Sequence, residues 1–539
     1  MAQSKKPASQ TQPPTNGTEG QASSTPALGR AAVRMYRQGL GDCFLITLPK
    51  QDRAPWHMLI DCGVILGTPS VNDRLSEIIA DIAADTGGRV DILVITHEHY
   101  DHVAAFAGLN GLFCGSDQQR KDGQLQVGKV WFAWTEDPDD SLGQKLNKVR
   151  AAQVNQLAAM VGQLQSSNRA MSSQTKTMAD GVAELMAFFG LGPEELLQAR
   201  ANLASQGMAA NGAANGGGQG QKHLGATAQA MENARALGGR NGEHVRYWKP
   251  GDTPWTSPDL PGVRIYALGP PREEALLKKT FVADEVYHLA ANDEGHNAFF
   301  GAAALGGSGT TDGSDKWCPF DNVYGRELRD PQQGGDLRMP DATAEFLQRH
   351  YYGPGSDMGD QDQSWRRIDE DWLGNAAQFA LNLDSATNNT SLVLAIELSP
   401  GGEVLLFPAD AQVGNWLSWQ QVNWAMEGNK AISATDLLKR TVFYKVGHHG
   451  SHNATLREHG LELMPHGLAA LLPVDHEMAV KKRWDGMPLP GLLDALKARN
   501  DVVVRMDDDH LPDDKRFRAS DKQGKSFAGP LFYEWRLDN

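Results

Sequence analysis

Four side chains able to ligate a metal fall in one short run, His97-Glu98-His99-Tyr100-Asp101-His102. His97 and His99 alternate, so an extended backbone points them the same way. Asp101 and His102 fall where the chain turns into Val103-Ala-Ala-Phe-Ala-Gly-Leu109, a helix start whose N-terminus a carboxylate favours. Imidazole together with carboxylate suits zinc, and also manganese or iron, as one or two ions. The competing reading is a solvated polar turn. It requires three histidines and an aspartate to converge by chance.

The elements that must hold these groups are legible around them. Val90-Asp-Ile-Leu-Val-Ile-Thr96 reads as a buried strand, so the ligands sit between a strand end and a helix start. The same arrangement recurs. Met58-Leu-Ile ends in Asp61, Glu403-Val-Leu-Leu-Phe407 leads to Asp410, and Thr441-Val-Phe-Tyr-Lys445 leads to His448, His449 and Ser451. Strand ends along one sheet edge lie side by side, so these groups are expected to converge. Asp61 either orients a ligating histidine or caps a turn. Ser451 either contacts a phosphate or caps its own turn.

Ala32–Tyr36 and Phe44–Leu48 read as an opening hairpin around a Gly-bearing turn, with its outer face as ordinary surface. A helix is expected near 71–85, a strand at Lys129–Trp134, and strands at Val263–Leu268 and Asn388–Leu398. Ala469–Pro473, Pro490–Leu496 and Val502–Arg505 read as strand, helix and strand, and Phe532–Leu537 closes the chain.

The ordered set of motifs resembles the metallo-β-lactamase superfamily. The central run matches its His-x-His-x-Asp-His signature. Gly41-Asp-Cys-Phe-Leu-Ile46 with Leu59-Ile-Asp-Cys-Gly63, Asn389-Thr-Ser-Leu-Val-Leu394, Leu405-Leu-Phe-Pro-Ala-Asp410 and Lys445-Val-Gly-His-His-Gly-Ser451 are similar to the branch of the ComEC DNA-uptake hydrolase domain and the phosphorylcholine esterases. The resemblance implies an αββα sandwich of two mixed sheets, interrupted here by two large insertions. It implies that His97 and His99 bind one metal, that Asp101, His102 and His449 bind a second, and that Asp410 bridges the two. His448 becomes a substrate-contacting or proton-moving group, and Asn389 and Lys445 join Asp61 and Ser451 around the centre. The order of His448 and His449 is left open. Two departures stand out. Ala409 replaces a common glycine, and a third histidine for the first metal is missing from the expected region.

The 539 residues divide into a disordered polar tail, 1–30, and one domain, 31–539. That domain is interrupted by a helical insertion at 139–250, with a Gly-rich linker near 209–220, and an irregular insertion at 272–385. Both insertions are expected over or beside the metal edge. For the helical one, mere decoration is the blander reading. A net charge of −15 argues against a nonspecific duplex-coating protein. Four unpaired cysteines and no apolar span or signal segment suggest a reduced, cytoplasmic setting without a membrane anchor.

Three functions compete. The first is a metal-dependent hydrolase whose metal-bound hydroxide cleaves a small-molecule or nucleic-acid phosphodiester. The second is an ester, thioester or lactone hydrolase on the same site. The third is a noncatalytic metal-bound scaffold that binds a protein partner through its insertions.

Overall fold

The computed structural model describes residues 29–166, 173–199, 225–239, 242–280, 372–425, 431–484, 486–499 and 501–538, with isolated positions at 282, 285 and 346. The polar tail to residue 28, the linker near 209–220 and most of the second insertion lie outside the described residues.

Two mixed sheets form the centre. The first takes β1 (Ala31–Tyr36), β2 (Phe44–Pro49), β3 (Pro55–Ile60), β4 (Arg89–Val94), β5 (Phe113–Gly115), β6 (Leu125–Ala133) and β7 (Val245–Trp248). The second takes β8 (Trp255–Ser257), β9 (Leu260–Gly269), β10 (Val393–Glu397) and β11 (Val404–Phe407). A separate ribbon pairs β12 (Asn423–Ala425) with β13 (Ala431–Ser433). The second sheet continues through β14 (Thr441–Lys445), β15 (Ala469–Leu472) and β16 (Val502–Arg505). The first is closed by β17 (Phe517–Ala519) and β18 (Phe532–Leu537). The orders are β17-β18-β1-β2-β3-β4-β6-β5, with β7 also on β6, and β16-β15-β14-β11-β10-β9-β8.

Period-2 alternation divides each strand between two cores. Val33, Met35, Phe44, Ile46, Met58, Ile60, Ile92 and Val94 face Ile265, Leu394, Ile396, Leu405, Phe407, Phe443 and Leu471 in one buried cluster between the sheets. The alternate residues Leu45, Leu59, Leu93, Val127 and Val130 pack outward under α1 (Val71–Asp85) and α2 (Tyr100–Gly108). On the far side, Tyr266, Val393, Ala395, Leu406, Tyr444 and Ala470 pack outward against helices. Those helices include α3 (Ser141–Ser166) and α4 (Ser173–Met186) of the first insertion. Each such aliphatic side chain contributes about 1.5–3 kcal/mol on burial.

The first insertion is therefore part of a main core, not decoration. Val154, Leu157, Val161, Val182 and Met186 are buried in the same cluster as the second sheet. The core also reaches further into 139–250 than the sequence suggests. β7 pairs with β6, and α5 (Ala226–Ala236) packs against α2. The second insertion ends in a helix, α6 (Trp372–Asn388), so the strand expected from Asn388 begins only at Val393.

Strands β3 and β4 run parallel, as do β11, β14 and β15. Their C-terminal ends carry Asp61, the 96–102 turn, Asp410 and the 447–451 turn. A backbone bond from the Leu392 amide to the Thr96 carbonyl, 2.9 Å, ties the two sheets at this edge.

Candidate metal centre

The turn after β4 places His97 and His99 in extended backbone and starts α2 at Tyr100, which brings Asp101 and His102 into its first turn. That turn is held from below. The Asp42 amide donates to the Asp101 carbonyl at 3.0 Å, and the Cys62 amide donates to the His102 carbonyl at 2.9 Å. Gly63 permits this approach: a Cβ there would lie 2.3 Å from the Asp101 carbonyl carbon and 2.4 Å from the His102 nitrogen. Asp61, Ala409, His448 and His449 all hold left-handed φ, between 41° and 54°. Such values are uncommon outside glycine and concentrate where function over-determines the backbone. Ala409 thus adopts the conformation for which glycine is the usual residue.

Four ligand-type atoms close a ring. Asp101 Oδ2 lies 2.9 Å from His449 Nε2, which is 3.5 Å from Asp410 Oδ2. Asp410 Oδ2 is 3.1 Å from His102 Nε2, which is 3.8 Å from Asp101 Oδ2. Neighbouring ligands about 2.0–2.2 Å from one tetrahedral ion stand about 3.3–3.6 Å apart, a spacing that the four sides of the ring, from 2.9 to 3.8 Å, bracket. Beside it, His97 Nε2 and His99 Nδ1 are 3.1 Å apart.

The remaining ring nitrogens are tethered, which fixes the nitrogen each histidine turns inward. His102 Nδ1 contacts Asp61 Oδ2 at 2.8 Å. His449 Nδ1 donates to the Pro473 carbonyl at 2.6 Å. His97 Nδ1 meets Thr96 Oγ1 at 3.1 Å, and that hydroxyl donates to Asp61 at 2.6 Å. Asp61 thus takes the orienting role rather than the turn cap.

The inward atoms lack other partners. His102 Nε2, Asp410 Oδ2, Asp101 Oδ1, His99 Nε2 and Asp384 Oδ1 are buried without a hydrogen bond. Orphaned polar atoms of this kind are costly; His102 Nε2 and Asp410 Oδ2 belong to the ring and could serve a cation, whereas His99 Nε2 and Asp384 Oδ1 face each other. Asp42, Asp61, Asp101, Asp384 and Asp410 are all buried. Among the described lysines and arginines only Lys445 pairs with any of them.

Charge follows this geometry. Burial alone raises the Asp410 carboxyl, but His102, Lys445 and His449 outweigh it and hold it well below the usual carboxylate range. Burial disfavours charge on His102, yet Asp410, Asp42, Asp101 and Asp61 keep its pKa well above that of a free imidazole. Burial, with neighbouring imidazoles adding to it, pushes His97 well down; His99, despite opposing carboxylates, falls to about 3. Both are thus neutral, the form that ligates metal.

Among the described residues, Asp42, His102, Asp410 and His449 bring potential ligand atoms all within 4.8 Å of one another. The group could hold a metal ion. Asp42 was unmarked in the sequence, where its turn and the face of its hairpin read as ordinary surface; in fact every residue of β1 is buried. Its position is behind the ring. Its oxygens approach the Nδ1 atoms of His102 and His449, both at 3.9 Å and both already tethered, and its Oδ1 is itself buried without a hydrogen bond. Its Oδ2 accepts from Lys445 Nζ at 2.7 Å, and the same ammonium holds Asp410 Oδ1 at 3.1 Å and the Ala409 carbonyl at 2.8 Å. Lys445 thereby leaves Oδ2 as the inward oxygen of Asp410.

The other expected residues divide. His448 lies beside the centre, with Ser451 Oγ on its Nδ1 at 2.7 Å and Asn388 on its Nε2 at 3.3 Å. Ser451 is therefore occupied by its own turn and by Asn453, 3.1 Å away. Asn389 faces away from the centre. Its amide donates to the Leu277 and Lys279 carbonyls and accepts from the Gln412 and Asn415 amides, which spends it on structure. Its neighbour Asn388 takes the inward place. Over His99 lie Phe188 and Phe189 of the first insertion, with centroids 5.3 and 5.2 Å away, and Phe188 stacks on Trp484 at 4.7 Å. The first insertion thus roofs the centre, and α6 brings the end of the second beside it.

Cys43, Cys62 and Cys114 are free and buried. Among the described residues no helix is long and apolar enough to cross a membrane. No protein-family model matches the chain, and no curated protein matches it in sequence.

Proposed function

We propose that this protein is a metal-dependent hydrolase of the metallo-β-lactamase type, acting on a phosphodiester. The observation that carries the hydrolase reading is the ring of Asp101, His102, Asp410 and His449, whose inward atoms have no partner but one another. The phosphodiester preference rests on the resemblance of the Lys445–Ser451 and Leu405–Asp410 motifs to the DNA-uptake and phosphorylcholine esterase branch. Zinc fits the nitrogen and oxygen donors, and manganese or iron fits them too.

A divalent ion held there supplies Lewis acidity and a water that ionises near pH 7 rather than 15.7. The chain's own groups do the rest. His102 and His449 present Nε2 because Asp61 and Pro473 hold their Nδ1 atoms. Lys445 fixes the Asp410 carboxylate so that one oxygen faces inward. His448, steadied by Ser451, Gln412 and Asn388, is placed to take or return a proton at the edge of the ring. Phe188 and Phe189 exclude water from the His99 side.

The test is hydrolysis of bis-p-nitrophenyl phosphate by the purified, metal-reconstituted protein. His102→Ala and Asp410→Ala are expected to lose activity by more than about 10⁴-fold, beyond the 10²–10⁴ of a lost acid–base group. Both variants should lose bound metal. Activity that persists in both rejects the reading.

A further inference from the structure

Asp384 lies on α6, the helix that ends the second insertion, and nothing in its local sequence marks it as functional. It is 5% exposed. Its Oδ2 accepts from Asn388 Nδ2 at 3.2 Å, one helical turn on. Its Oδ1 has no hydrogen bond and points at His99 Nε2, 3.7 Å away, which has none either. Among the described residues no lysine or arginine pairs with this carboxyl. An ionised carboxyl buried without a cation costs several kcal/mol, so this one either stays protonated or gains a compensating positive charge.

The other three inward histidines show what His99 lacks. Each has one nitrogen directed inward and the other tied to Asp61, Thr96 or Pro473. His99 has Nδ1 beside His97 Nε2, so its Nε2 is the nitrogen that should be tied. Two buried polar atoms, neither with a hydrogen bond, thus face each other less than 1 Å beyond hydrogen-bond reach.

We propose that Asp384 is the positioning carboxylate of His99: it accepts from His99 Nε2 when an ion sits at the His97–His99 pair, as Asp61 does for His102. The long second insertion thereby supplies a working part of the metal centre. This inference rests on the metal-centre reading of the proposed function. A carboxylate on the far nitrogen makes the imidazole a stronger ligand.

The experiment is zinc titration of the metal-free full chain against a competing chromophoric chelator, for wild type, Asp384→Asn, Asp384→Leu and the control Asp61→Asn. Wild type is expected to bind zinc in two phases. Asp384→Leu should weaken one phase by about 10–100-fold and leave the other within twofold, and Asp384→Asn, which keeps an acceptor but no charge, should fall between. Asp61 meets His102 directly and His97 only through Thr96, so Asp61→Asn should weaken the opposite phase more than the phase that Asp384→Leu weakens. The metal-free Asp384→Leu protein should unfold at no lower temperature than metal-free wild type, since it loses a buried polar atom that has no partner. Two outcomes overturn the proposal: both phases unchanged in Asp384→Leu, or both weakened together with a lower unfolding temperature, which marks a structural role. Wild type that binds no zinc overturns the metal centre itself, a different failure from either.

Discussion

His448 and His449 are adjacent and both left-handed, yet their surroundings separate them. His449 Nε2 faces Asp101 and Asp410, whereas His448 is held by Ser451, Gln412 and Asn388. His449→Ala is therefore expected to lose metal from the Asp101–His102 position. His448→Ala should keep the metal and lose about 10²–10⁴-fold in rate, the range for a proton-moving group. Metal content and turnover measured on the same preparations check this, and metal loss in His448→Ala alone reverses the assignment. The convergence legible in the sequence was that of side chains after apolar strands, where type and spacing carry a mechanism: His97, His99, Asp101, His102, Asp410 and His449 lie together. Asp42 was not legible, because a Gly-Asp pair in a hairpin turn has an ordinary explanation in turn chemistry. Asn389 was favoured over Asn388 because spacing along a chain does not say which of two neighbours turns inward.

At the scale of elements, the centre depends on how closely three turns approach. Gln38 Nε2 bridges the Gly41 and Gly63 carbonyls, at 3.1 and 3.0 Å, and so locks the hairpin turn to the segment after β3. Gly63→Ala puts a methyl into the backbone of Asp101 and His102. It is expected to cost about 1–3 kcal/mol in urea unfolding, as overpacking does, and to weaken metal binding although it alters no ligand. Unchanged stability and affinity would contradict the close approach. Strands and α1 were legible from period 2 and period 3.6. The roles of the insertions were not. The value of Arg150 on α3 lies in reaching Glu98 inside the motif and Glu136 after β6, contacts separated by 52 and 14 residues. Asp384 likewise reaches His99 from a distant part of the chain. Local pattern carries no record of such distances.

Across the described residues, two sheets bring the C-terminal ends of β3, β4, β11 and β14 to one edge, where Phe188 and Phe189 of the first insertion and Asp384 of α6 meet His99. The strand-end recurrence made this convergence legible in the sequence; the burial of the centre was not, because it depends on the fold of α3, α4 and α6 together. The account stands on an ion at the centre of the Asp101–His102–Asp410–His449 ring. The most direct measurement is anomalous scattering at the zinc edge from crystals of the zinc-loaded protein. The predicted result is a peak within about 2.0–2.2 Å of His102 Nε2, His449 Nε2 and Asp410 Oδ2. A fully loaded crystal with no peak there, or with its peak on the Asp42 side against the Nδ1 atoms, would contradict it.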